Sequence, residues 1–98
     1  MNESCLSIKY TNHAIEFMAK RGITEEEVEF SILKGETIES YPEDKPFPSK
    51  LILTFVNGRP IHIVLARDEK SKKCFVVTAY EPTLDKFELN YKTRKRRL

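Results

Sequence analysis

The sequence has two cysteines, three glycines and no apolar run approaching the ~18 residues of a membrane-spanning helix. Each scarcity excludes something. Cys5 and Cys74 are too few for a disulfide scaffold, and no Cys-x-x-Cys pair suggests zinc. One bridge between them is geometrically open, but two reduced thiols in a cytoplasmic chain are the plainer expectation. There is no glycine-rich phosphate loop, nucleophile elbow or His-Glu-x-x-His helix. The two histidines, His13 and His62, stand far apart in sequence, so no metal centre and no cofactor is expected. The opening Met1-Asn-Glu-Ser-Cys5 has neither a basic nor a long apolar region, so a secretion signal and a membrane association are not expected. No repeat and no Gly/Ser linker divides the 98 residues, which is about one domain's worth.

What is present is the mixture of a folded domain: 40% hydrophobic and 33% charged residues. The net charge of +2 hides an asymmetry. Lys92, Arg94, Lys95, Arg96 and Arg97 give the end of the chain +5, leaving the remainder at −3. We therefore read residues 1–91 as a single domain and residues 92–98 as a basic tail. Such a tail either reaches phosphate or is a solvated end with no partner.

A first helix is expected from about Asn12, read as its N-cap, to Arg21, with Gly22 as the stop. Ala14, Phe17 and Met18 supply the buried stripe. The second helix has a stronger local signature. Thr24 and Glu27 form a capping box, Ile23 and Val28 a hydrophobic staple, and Glu25, Glu26 and Glu27 oppose the helix dipole. Gly35 ends it. The prolines between Pro42 and Pro48 mark a loop. Glu36–Tyr41 reads as a weak strand, and Leu51–Val56, Ile61–Ala66 and Phe75–Tyr80 as strong ones, rich in β-branched and aromatic residues. The expectation is an α+β fold of two N-terminal helices followed by a four-stranded antiparallel sheet. Leu84, Phe87, Leu89 and Tyr91 form a short segment against the body.

Apolar patterning bears on the register. A two-residue turn at Asn57-Gly58 pairs Leu53 with His62. A three-residue loop including Arg59 pairs Thr54 with His62 and puts Leu51, Leu53 and Phe55 on one face with Ile61, Ile63 and Leu65. The second choice keeps one face apolar. Continued to the next strand, it pairs Ala66 with Cys74 and His62 with Thr78. Thr54, His62 and Thr78 then form a polar row, with Tyr80 diagonal to His62.

Few residues here carry chemistry. His13, Phe17 and Arg21 form an i, i+4, i+8 ridge on the first helix. The plain reading is a histidine near one helix end and an arginine over last-turn carbonyls. His62 lies mid-strand in an apolar run, where a packed histidine is commoner than a catalyst, yet it is a side chain that titrates near neutrality. Tyr80 can donate a proton or simply cover the strand end. Cys74, at a strand edge, reads as a small hydrophobe.

The stretch Tyr10-Thr-Asn-His13-Ala-Ile-Glu-Phe17-Met-Ala-Lys-Arg21-Gly-Ile-Thr-Glu-Glu-Glu-Val28 resembles the opening of an uncharacterised bacterial family, domain of unknown function 4258. Gly35, Tyr41-Pro42, Pro60-Ile-His62-Ile-Val64 and Thr78-Ala-Tyr80-Glu-Pro82 continue the resemblance over about residues 8 to 88. One position departs: the family usually has arginine where this chain has Phe17. The family is similar to the RelE–barnase–colicin group of small ribonucleases, many of them toxins paired with an antitoxin. The resemblance implies a RelE/barnase-like fold and metal-independent endoribonuclease chemistry. It implies RNA, including ribosome-bound mRNA, and an antitoxin protein as partners.

That chemistry needs a base for the 2′-OH, an acid for the leaving 5′-oxygen and cations for the phosphorane. His62 or His13 would serve as base or acid, Arg21 and Arg67 as phosphate clamps, and Tyr80 as donor or orienter. Lys92, Arg94, Lys95, Arg96 and Arg97 would hold RNA. Two alternatives stand beside it. One is a non-catalytic RNA- or ribosome-binding module anchored by the tail. The other is a protein-interaction domain or homodimer using Ile52, Val56, Val64 and Val76 on an open sheet face. If the helices cover the apolar face, His13 and Arg21 meet His62 and Tyr80 only from the sheet edge.

Overall fold

A computed structural model describes residues 5–94. The elements run β1 (Ser7–Tyr10), α1 (Asn12–Arg21), α2 (Glu25–Lys34), β2 (Glu36–Tyr41), β3 (Ser49–Val56), β4 (Arg59–Arg67) and β5 (Lys73–Tyr80). Thr11, not Asn12, caps α1. Its backbone is extended and its Oγ1 accepts the Ala14 N–H at 3.0 Å. The same hydroxyl donates to the Val77 carbonyl at 2.9 Å, which ties the helix start to β5. Gly22 closes α1 in the left-handed region, φ 67°. The capping box of α2 forms as read: Glu27 N–H donates to Thr24 Oγ1 at 3.1 Å, and Thr24 N–H to Glu27 Oε1 at 2.9 Å. Gly35 ends α2 with extended backbone, and its small size is needed for another reason. A Cβ there would collide with Ile52 Cγ2, the Ser31 carbonyl and Thr54 Oγ1.

The sheet corrects the expected four antiparallel strands. It has five, in the order β1-β5-β4-β3-β2, and β1 runs parallel to β5. Ser7 pairs with Lys73 and Tyr10 with Val76. A four-residue strand whose partner lies at the far end of the chain has no adjoining turn to announce it. The domain is still α+β. Cys5 and Cys74 are disulfide-bonded, with Cα atoms 5.5 Å apart, so the expected pair of reduced thiols is also corrected. The same β1–β5 alignment brings the two cysteines together. Among the described residues, no helix is long and apolar enough to cross a membrane.

The register differs as well. Asn57 (φ 52°) and Gly58 (φ 81°) make a two-residue turn, Val56 pairs with Arg59, and Leu53 with His62. Positive φ at both turn positions is what a primed hairpin turn needs, and Asn-Gly supplies it without strain. The helix-facing side of β3 therefore carries Ile52, Thr54 and Val56 opposite the Ile61, Ile63 and Leu65 side of β4. Ile52, Ile61, Ile63 and Leu65 join Ala14, Met18, Ile23, Val28, Cys74, Val76 and Ala79 in the main core, and Val56 packs against it. Thr54 is tolerated there because its hydroxyl donates to the Ser31 carbonyl, 3.4 Å away. Between β4 and β5 a bulge at Val77 shifts the pairing, so Ala66 meets Phe75 and His62 meets Tyr80 directly. The row across the far face is Leu53–His62–Tyr80, not Thr54–His62–Thr78.

That far face is not open where His62 lies. The chain after β5 turns back over it and buries Phe87 to 2% exposure, along with Leu51 and Leu53. With both faces covered, keeping one face apolar could not choose the register.

Candidate functional site

His62 is fully buried at the centre of the covered face. Its neighbours are Tyr80 from β5, the Phe87 ring edge-on at 4.6 Å, and the Tyr91 carbonyl. His62 Nε2 lies 2.7 Å from that carbonyl. A carbonyl only accepts, so Nε2 carries the proton. Nδ1 of the neutral ring is then an acceptor facing the Tyr80 hydroxyl at 3.4 Å. Burial lowers the His62 pKa below 6.5 and is the largest influence; the Tyr91 carbonyl opposes it, and Arg94 and Glu39 act in opposite directions. Burial likewise raises the Tyr80 pKa, so the phenol is protonated at neutral pH.

Arg94 secures the cover. Its guanidinium lies 4.9 Å from the Phe87 ring centroid and grips Glu39 of β2 through Nε–Oε2 at 3.0 Å and Nη2–Oε1 at 3.3 Å. The Tyr41 hydroxyl donates to the same carboxylate. Burial would raise the Glu39 pKa, but the bonds from Tyr41 and Arg94 outweigh it and hold the carboxyl low. Lys92 pairs with Glu36 at 2.9 Å. Lys92 and Arg94 thus belong to a folded strap along β2, while Lys95, Arg96 and Arg97 lie outside the described residues.

A cleft of ≈ 310 Å³ opens at the sheet edge beside this strap. Strand β1 pairs only with Lys73–Val76, so the second half of β5 pairs with β4 on one side and has no strand along its outer edge. Phe17 and Arg21 form one wall, Tyr80 and Glu81 another, and Lys86, Phe87 and Arg94 the third. Arg59 fixes the corner. It donates to the Arg21 and Gly22 carbonyls at 3.4 and 3.3 Å, and reaches Glu27 at 3.0 Å and Glu81 at 3.8 Å.

Arg21 and Tyr80 therefore meet in one cleft, with His62 behind Tyr80. His13 does not line it; its ring packs on Phe17 at 4.4 Å. Arg67 lies on the helix-facing side of β4, 8% exposed, ion-paired with Glu69 at 2.7 Å beside a separate cleft. It cannot act with Arg21 on one phosphate. Sequence reasoning did not find Glu39, Tyr41, Lys86 or Arg59, which matter only once the chain after Tyr80 folds back. Among the described residues, no group of three or more His, Cys, Asp or Glu side chains is placed to hold a metal ion.

The model of a family described as "Domain of unknown function (DUF4258)" matches residues 10–81, most of the chain. The chain belongs to that family. No curated protein and no solved structure matches it. The DUF4258 span holds Arg21, His62, Tyr80 and Glu81 but stops before Lys86, Phe87 and Arg94. The strap over His62 is thus built from residues beyond the matched span.

Proposed function

We propose that the cleft binds the RNA backbone and that the protein is a metal-independent endoribonuclease, the toxin of a toxin–antitoxin pair. The observation that carries this reading is that Arg21, Lys86 and Arg94 line one cleft with Tyr80, whose hydroxyl faces Nδ1 of neutral His62. A substrate 2′-OH gives its proton to Tyr80 Oη, and the Tyr80 proton passes to His62 Nδ1. The 2′-oxygen bonds to the adjacent phosphorus, the P–O5′ bond breaks, and the Lys86 ammonium protonates the leaving oxygen. Arg21 and Arg94 balance the phosphorane charge. The products are a 2′,3′-cyclic phosphate and a 5′-hydroxyl. An antitoxin that silences this cleft would present carboxylates to the same three cations.

The test is induced expression in a bacterial host, following growth and new RNA 5′ ends, with Arg21→Ala and Tyr80→Phe alongside. Growth arrest with new ends is expected from the wild type. Each variant should cut the yield of ends by about 10²-fold or more. The complete burial of His62 favours one other reading, a non-catalytic RNA-binding module. In that case the wild type binds RNA in a salt-dependent way and generates no new ends.

A further inference from the structure

Phe17 occupies an odd position for a large apolar side chain. It is outside the main core, only partly buried on α1, and flanked by the cations of Lys20 and Arg21. The His13 ring packs against it at 4.4 Å with a 40° tilt, and Lys20 Nζ lies 5.9 Å from its centroid. Together the two rings make an aromatic shelf along the ridge of α1, leading into the cleft where Phe17 lines the wall with Arg21. Residue 21 follows one turn on, a rise of about 6 Å along the axis. A shelf that size, one step from a guanidinium, matches an unpaired base next to its phosphate. Every base has a face to stack, whereas a duplex hides those faces and offers only its backbone.

We propose that His13 and Phe17 form a base-stacking shelf that restricts the site to single-stranded RNA, one unpaired base lying on Phe17 while the neighbouring phosphate is held by Arg21. This rests on the RNA-binding reading above. Lys20 adds attraction beside the ring without reading sequence, so the shelf selects for strandedness and not for a particular base.

The test is fluorescence anisotropy of the full chain with three labelled ligands: a short single-stranded RNA, its blunt duplex, and a strand of the same length lacking bases. The wild type should bind the single strand about tenfold more tightly than the other two. Phe17→Leu, which keeps apolar contact but not the ring, should lose about that factor on the single strand and leave the base-free strand unchanged. Phe17→Trp should restore it. If Phe17→Leu binds the single strand as well as the wild type while Arg21→Ala weakens all three ligands, the shelf is wrong and the RNA reading survives. Equal loss on the base-free strand also overturns the shelf, since stacking could not be the cause. Wild type that binds none of the three removes the RNA reading and the shelf together.

Discussion

His62 shows how a residue can be visible in sequence while its surroundings are not. A histidine inside Ile61-His-Ile-Val stands out, but what buries it is a segment beginning some twenty residues later. Its neutral state has a pH consequence. The folded pKa is below 6.5, so in the window between the folded value and 6.5 the unfolded chain binds a proton that the fold refuses. Stability therefore falls as pH drops through 6.5 and levels off below the folded pKa. Thermal melts of His62→Gln against the wild type should show that the variant lacks this part of the acid slope; Glu39 and the other carboxylates contribute to both proteins. Parallel slopes would mean that His62 protonates as easily in the fold as out of it. Arg21 and Tyr80, singled out in the sequence on a helix ridge and at a strand end, line one cleft in the structure. Arg67, five residues from His62 on the same strand, takes the opposite face whichever register holds, and it lines a separate cleft.

At the scale of elements, the two helices and the three central strands are readable from caps, periodicity and β-branched runs. The register is not. Thr54 and His62 are polar residues that both end up buried, one bonded to the Ser31 carbonyl and the other to the Tyr91 carbonyl. Polarity thus gives no sign of which faces outward. The Asn57-Gly58 turn chemistry is the better guide, and it points to the two-residue hairpin. Two glycines test the packing by different means. Gly35→Ala should cost about 1–3 kcal/mol through collision with Ile52 and Thr54. Gly58→Ala has open space around it and should cost about 1–2 kcal/mol from its left-handed backbone alone. Chemical denaturation checks both; a neutral Gly35→Ala would mean α2 does not approach β3 as closely as described. For the strap, Phe87→Ala should lose about 3–5 kcal/mol and raise the His62 pKa, read by histidine NMR titration. An unchanged pKa would show that Phe87 does not seal that site.

For the whole molecule, closure depends on long-range pairings that no local pattern records. The β1–β5 pairing and the Cys5–Cys74 bridge, 69 residues apart, join the two ends of the domain. Reduction should lower stability by about 2–4 kcal/mol while leaving the sheet in place. Comparing oxidised protein with a Cys5→Ser variant in thermal melts checks this; identical melting would remove the bridge from the account. The same closure lets a helix residue and a strand-end residue share a cleft at the sheet edge, on which the functional proposal depends.

The most direct measurement of that proposal is the chemistry of the RNA ends left in cells expressing the protein. Capture of termini should find 2′,3′-cyclic phosphates matched to new 5′-hydroxyls, abundant with the wild type and nearly absent with Tyr80→Phe. New ends of the opposite kind, 3′-hydroxyl with 5′-phosphate, or ends that persist undiminished in Tyr80→Phe, would contradict it.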